Sequence, residues 1–319
     1  MAFNSAPFFI VGTGRSGTTL LRLILNGHSR IQIPPETWFI EPLVAAVPIS
    51  GPLSDEQIEI AIAIITKHRR WEDMNFDSAE FAAAIRNISN TQLVDILNLF
   101  YQRQLDRHDK KRFGDKTPIY INILTELKCL YPDAKFIHLI RDGRDVAISM
   151  LDARWMRYHD RNFPWTKTML LRRTYLETKL AEDILEVRYE ALITDLERTV
   201  RKICEFLNET FEPQMLAFRD RLEQVPERER RIHRKLAAPV SDSSISLWKN
   251  KLAPWECFLM EACLHDELLD LGYELQFSSA VWRPFLKFAR VILHWISPLL
   301  QRGVPYLQRR DFLPDNIYI

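Results

Sequence analysis

With 319 residues, 47% hydrophobic and 27% charged, the chain has the apolar content of a large core, which excludes a disordered or collagen-like polymer. Its 43 basic and 42 acidic residues leave a net charge of +1, so no global field recruits nucleic acid and any anion site has to be local. The cysteines Cys129, Cys204, Cys257 and Cys263 form no C-x-x-C pair, and their apolar helical surroundings predict buried, reduced thiols in a cytoplasmic protein.

The opening MAFNSAP has no room for a basic region, an apolar core and a cleavage site, so a cleaved secretion signal is not expected. Phe8, Phe9, Ile10 and Val11 then read as a strand buried on both faces. Gly12, Gly14 and Gly17 turn the backbone tightly, and a helix begins at Thr18. Strand, Gly-rich loop and helix N-terminus together make a phosphate cradle. The spacing fits G-x-x-x-x-G-K-[ST], except that Thr18 stands where the Lys that reaches the β/γ-phosphates belongs, which weakens the case for a triphosphate and leaves Arg15 as the loop's cation.

Ile31 to Ile33 reads as a short strand ending at Pro34-Pro35, which places Glu36 at a strand end, where ligands of open α/β sheets bind. Ser54 and Gln57 form a capping box before an amphipathic helix, and Thr91 to Arg107 predicts a second helix with Leu93, Leu97, Phe100 and Gln104 on one face. Residues from about 50 to 110 form a helical insertion of the kind that shapes an acceptor pocket. Phe113 to Pro118 leads into a helix through Ile119 to Leu130, with Pro118 in its first turn, Thr117 or Asp115 as its cap and Lys116 at its entrance.

Lys135 to Ile140 is a further apolar strand, followed by the polar turn Arg141 to Asp145 and a helix carrying Ser149. This repeats the opening geometry, so Arg141 and Ser149 are placed to take a second phosphate. Thr168 to Asp183 predicts a helix, Leu185 to Arg188 a third strand, and Asp195 to Leu207 another helix. Arg219 to Lys235 is dense in both signs and reads as a solvated, mobile segment, either an exposed helix or a lid over a nucleotide. Pro254 opens a helix stopped by Gly272.

The expected fold is α/β: a three-layer, P-loop-like arrangement of a mainly parallel sheet flanked by helices, occupying 1–277. Residues 278–319 form a separate extension. Within it, 281–300 is interrupted by Arg283, Lys287 and Arg290, which makes a poor spanning helix but an amphipathic one. It suits an anionic membrane surface, the protein's own core, or a second copy in a homodimer.

VGTGRSGTTLLR and FIHLIRDGRDVAISM together resemble the 5′-phosphosulfate loop and the 3′-phosphate motif of sulfotransferases, with protein-tyrosine sulfotransferases and related bacterial enzymes the nearest likeness. The resemblance implies 3′-phosphoadenosine 5′-phosphosulfate (PAPS) as sulfonate donor, no metal, and a hydroxyl acceptor of carbohydrate, lipid or tyrosine type. It implies that Arg15, Ser16, Gly17, Thr18 and Thr19 hold the phosphosulfate, Arg141 and Ser149 the 3′-phosphate, and Tyr189 lies near the adenine. Glu36 matches the general base and Lys116 a Lys at the sulfonate, with Arg15 beside them. In the tyrosine enzymes a Lys precedes the late Trp, whereas here Leu247 does and Lys249 follows Trp248, so Ser244 and Lys249 are the late cofactor candidates. The alternative is a P-loop kinase or other nucleotide phosphotransferase, which needs a Mg²⁺ ligand and the Lys that the loop lacks. A non-catalytic nucleotide-binding or membrane-scaffold protein is a third reading, against which Glu36 and Lys116 stand.

Overall fold

The computed structural model describes residues 5–153, 163–238 and 241–277; the predicted helix at 281–300 and the extension from 278 lie outside them. In chain order the regular elements begin β1 (Phe8–Gly12), α1 (Thr18–Leu25), β2 (Ile31–Gln32), α2 (Ile40–Ala46), α3 (Asp55–Thr66), α4 (Ser78–Arg86) and α5 (Leu93–His108). They continue with β3 (Arg112–Lys116), α6 (Leu124–Leu130), β4 (Lys135–Ile140), α7 (Gly143–Asp152), α8 (Phe163–Leu176) and β5 (Ile184–Arg188). The last are α9 (Tyr189–Thr194), α10 (Leu196–Leu207), α11 (Glu227–Arg230), α12 (Trp248–Lys251) and α13 (Pro254–Asp270).

The chain divides into two units, Met1–Arg141 with Leu170–Asp242, and Asp142–Met169 with Ser243–Ile319. The first holds a five-stranded sheet in the order β2-β3-β1-β4-β5, with every pairing parallel. β1 is central and wholly buried, which is why FFIVG is apolar without alternation. Phe9 and Val11 face a core shared with α3 to α6, whereas Phe8 and Ile10 face one shared with α1, α9 and α10. The helices between β2 and β3 thus cover one sheet face, and the loop-bearing α1 lies on the other. Among the described residues no helix is long and apolar enough to cross a membrane.

Several local readings hold. Ser54 and Gln57 form the expected capping box, and Leu93, Leu97, Phe100 and Gln104 are all buried. Others need correction. Arg112–Lys116 is a strand, paired with β1 through Phe9↔Asp115 and Ile10↔Lys116, where a helix entrance was expected at Asp115 to Thr117. Its charged residues are buried by pairing with groups outside the strand, Arg112 with Glu209, Asp115 with hydroxyls and Lys116 with Glu36, so no apolar run announces it. The helix expected from Ile119 to Leu130 is split into a 3₁₀ turn, Pro118–Ile123, and α6. Thr117 makes no side-chain cap there and donates instead to Asp115 at 2.8 Å. The helix expected from Thr168 to Asp183 ends at Leu176, with a 3₁₀ turn Lys179–Asp183 beyond it. Cys204 and Cys257 are buried and free as expected, whereas Cys129 is exposed and Cys263 partly so.

The second unit is held by a buried ion cluster. Arg144, 1% exposed, donates to Asp142 from Nε at 3.0 Å and Nη2 at 2.7 Å, and to Glu261 from Nη1 at 2.6 Å. Its guanidinium stacks 3.7 Å from the Trp248 ring, while Asp145 accepts from the Trp248 N–H at 3.0 Å. A buried Arg needs such multiple pairing to offset the loss of its hydration.

Candidate active site

The loop after β1 is shaped by backbone conformations that side chains resist. Gly12 and Gly17 have φ of +141° and +96°, and a Cβ on Gly17 would lie 2.5 Å from the Tyr189 ring. Arg15 is also left-handed, at φ +70°. Helix α1 starts with no side-chain cap, since Gly17 stands at that position. Ser16 is buried, and its Oγ has no hydrogen-bond partner. An orphaned hydroxyl, an uncapped helix start and a glycine cradle suit an oxyanion.

The Lys absent from the loop is supplied from a neighbouring strand. Lys116, fully buried at the end of β3, donates from Nζ to Thr19 Oγ1 at 3.2 Å. It also forms an ion pair with Glu36 Oε1. The pleat of β3 accounts for this, because Lys116 shares a face with Gly114, which abuts Phe8, and so points to the α1 side.

Glu36 is held at both oxygens. Trp38 Nε1–H donates to Oε2 at 2.6 Å, and Arg70 Nη2 stands 3.5 Å from the same atom. Burial pushes the Glu36 carboxyl up, but Lys116 and Arg70 outweigh it and hold the group down at about 2. Trp38 achieves its contact with φ at +58°, a conformation that bulky residues avoid and that recurs at functional sites. Arg70 is itself paired with Glu229 and lies 3.6 Å from Asp73.

Arg15 Nη2 donates to the Ile232 carbonyl at 3.0 Å, and His233 Nε2 lies 3.4 Å from Thr19 Oγ1. Burial, with Lys116 and Arg15 nearby, lowers His233 to about 3, so it is a neutral imidazole at physiological pH. The segment expected to be solvated therefore has a buried inner side, where Glu229 is 5% exposed. Arg141 Nη1 donates to the Arg15 carbonyl at 3.0 Å, and its guanidinium lies 4.5 Å over the Tyr189 ring.

Arg15, Ser16, Gly17, Thr18, Thr19, Glu36, Lys116, Arg141 and Tyr189 thus all belong to the first unit, and the contacts above join most of them directly. Ser149, Ser244 and Lys249 belong to the second. Lys249 there pairs with Glu274 at 2.7 Å on an exposed surface. Arg70, Trp38 and His233 were not singled out from the sequence. Trp38 follows the Glu36-Thr37 pair directly, but no sequence pattern marks a left-handed tryptophan, and Arg70 and His233 arrive through distant contacts.

A profile of the sulfotransferase family matches residues 7–213. Nodulation protein NoeE of Sinorhizobium fredii is 26% identical over 83% of this chain and 65% of its own length. Protein-tyrosine sulfotransferase 1 of Danio rerio is 25% identical over 83% of this chain and 72% of its own. The chain thus spans about two thirds of NoeE. Among solved structures, the sulfotransferase domain of the Synechococcus PCC 7002 olefin synthase superposes with a TM-score of 0.58 at 26% identity, over 79% of this chain and 90% of that one. The sulfotransferase domain from the curacin biosynthetic pathway gives 0.56 at 21% identity, over 86% of this chain and all of that one.

Proposed function

The chain belongs to the sulfotransferase family, and on that premise we propose that it moves the sulfonate of PAPS to a hydroxyl of a carbohydrate, lipid or tyrosine-type acceptor. In that reaction the acceptor oxygen forms a bond to sulfur, the sulfur–oxygen bond to the 5′-phosphate breaks, and the acceptor proton passes to Glu36. The observation that carries this reading is the Glu36–Lys116 pair set against Thr19 of the Gly-rich loop.

Each residue has a physical task. Ser16, Thr18, Thr19 and the N–H groups of the loop bind oxyanion charge, with Arg15 as their cation. Lys116 offsets negative charge building on the leaving oxygen, as fixed cations do in a site that needs no reorganisation. Arg141, with Ser149, takes the 3′-phosphate, and Tyr189 stacks near the base; Ser244 and Lys249 are proposed as late contacts. Glu36 is ionised at neutral pH but bound to two cations, which makes it a weak base. An anion in the loop divides the attention of Lys116, and the proton affinity of Glu36 rises as a result. Base strength is thereby coupled to the loaded loop.

The test is Glu36→Gln, which keeps the shape. Turnover of PAPS with a hydroxyl acceptor is expected to fall by ~10²- to 10⁴-fold while nucleotide binding persists. Near-normal turnover removes Glu36 from the role.

A further inference from the structure

β3 presents two adjacent residues to two adjacent residues of the segment after β2. Lys116 pairs with Glu36 on one side of the sheet, and Asp115 holds Thr37 on the other. The two contacts share a cause, because successive strand side chains point to opposite faces.

Asp115 is completely buried and accepts three hydroxyl hydrogen bonds. Thr37 Oγ1 donates to Oδ2 at 2.9 Å, Tyr101 to Oδ2 at 2.8 Å, and Thr117 to Oδ1 at 2.8 Å. Thr37 N–H donates to Thr117 Oγ1 at 3.1 Å, and the Tyr120 hydroxyl lies 2.6 Å from Thr37 Oγ1 while accepting from Ile40 N–H at 3.1 Å. Tyr101 is fixed in turn by stacking on Phe113, centroids 3.9 Å apart. The carboxylate touches neither Glu36 nor the loop, yet it anchors the residue next to the base.

We propose that Asp115 is a positioning residue: through Thr37 and Thr117 it sets the separation of Glu36 from Lys116, and so the reach of the base toward the acceptor. The proposal rests on Glu36 and Lys116 being the working pair. Such a frame matters because a misplacement of about 1 Å at a reacting group can cost on the order of 10²-fold in rate. Protonation of Asp115 replaces one accepting position with a donor, and one of the three hydroxyls then has to turn away.

On its own face the carboxyl stands among Tyr101 on α5, Tyr120 on the 3₁₀ turn and Tyr131 after α6, while Lys116 and Arg22 act on it electrostatically from across the sheet. Burial raises it to about 6, although its three hydroxyl donors and Lys116 pull the other way. Glu36, at about 2, and His233, at about 3, titrate well below it. A group raised on folding takes up its proton earlier in the folded state. Its contribution to stability is therefore lost as pH rises through about 6 and is fully present below its unfolded value of 3.8. Turnover is expected to move the opposite way, falling as pH drops through about 6 while this group makes the fold no less stable.

The experiment compares wild type, Asp115→Asn, Thr37→Val and Thr37→Ser. In Asp115→Asn, kcat is expected to fall on the order of 10²-fold with KM and binding of adenosine 3′,5′-bisphosphate unchanged, and the acid limb near pH 6 to vanish. Thr37→Val is expected to lose kcat in the same way, and Thr37→Ser, which restores the hydroxyl, to recover it. If Asp115→Asn does not fold, the Thr37 pair decides alone. A folded Asp115→Asn or Thr37→Val with wild-type kcat and the same acid limb overturns the proposal. A crystal structure of Asp115→Asn gives a readout that needs no turnover: a carboxylate of Glu36 displaced from Lys116 supports the frame, and an undisturbed pair refutes it. If Glu36→Gln retains turnover, the functional reading fails while that structural result still stands.

Discussion

The two strand-to-helix corners, β1 into α1 and β4 into α7, share a spacing of apolar strand, polar turn and glycine, yet they are filled differently. At the first, glycine occupies the cap position of α1, no side chain caps the helix, and Ser16 Oγ has no partner. At the second, Asp142 caps α7 by accepting from Arg144 N–H at 2.9 Å and also grips the Arg144 guanidinium. The second helix start already holds an anion of its own. The repeated spacing thus leaves one helix start without a side-chain cap and the other capped by a carboxylate from its own chain.

Removing the internal anion gives the largest expected effect. Asp142→Ala strips one carboxylate from a buried guanidinium, and urea unfolding should show a loss of about 3–5 kcal/mol. A smaller loss would mean that Glu261 alone satisfies Arg144, and the contrast between the corners would weaken. Next, adenosine 3′,5′-bisphosphate at 100 times its Kd should raise the stability of wild type by about 2.7 kcal/mol. That gain should disappear in Arg15→Ala, read as the shift in thermal midpoint. ATP with Mg²⁺ giving the larger shift would favour phosphotransfer instead. The smallest stability effect belongs to Ser16→Ala. It removes an orphaned buried hydroxyl, so stability should change by less than about 0.5 kcal/mol. Its nucleotide affinity should nevertheless fall by ~10-fold, the worth of a hydrogen bond to a charged group, as titration calorimetry would show.

The same contrast explains what the sequence disclosed. The Gly12 to Thr19 loop, β1 and the KFIHLI strand were legible because their causes are local: glycine where φ is positive, and apolar runs where strands are buried on both faces. Strand β3 was not, because Arg112, Asp115 and Lys116 are buried through pairing rather than through apolarity. Glu229, within the segment expected to be solvated, is buried for the same reason, since its partner Arg70 lies 159 residues away along the chain. Charge that is neutralised by a distant segment leaves no periodicity to read. The resemblance to sulfotransferases named Glu36 and Lys116, and the fold then brought them into contact across 80 residues. It did not name the frame that holds them there.

The bond between Trp38 and Glu36 has an optical consequence. An indole whose N–H is committed to a carboxylate, and whose ring is partly open to solvent, carries the state of that carboxylate in its emission. On the proposed role of Glu36, an acceptor hydroxyl that takes Oε2 from the indole is expected to shift its emission. Subtracting the Trp38→Phe spectrum isolates this signal from the rest of the eight tryptophans. A shift on adding a hydroxyl acceptor, absent in Trp38→Phe, would report that engagement in real time without a label or a complete catalytic cycle, and no shift would count against it.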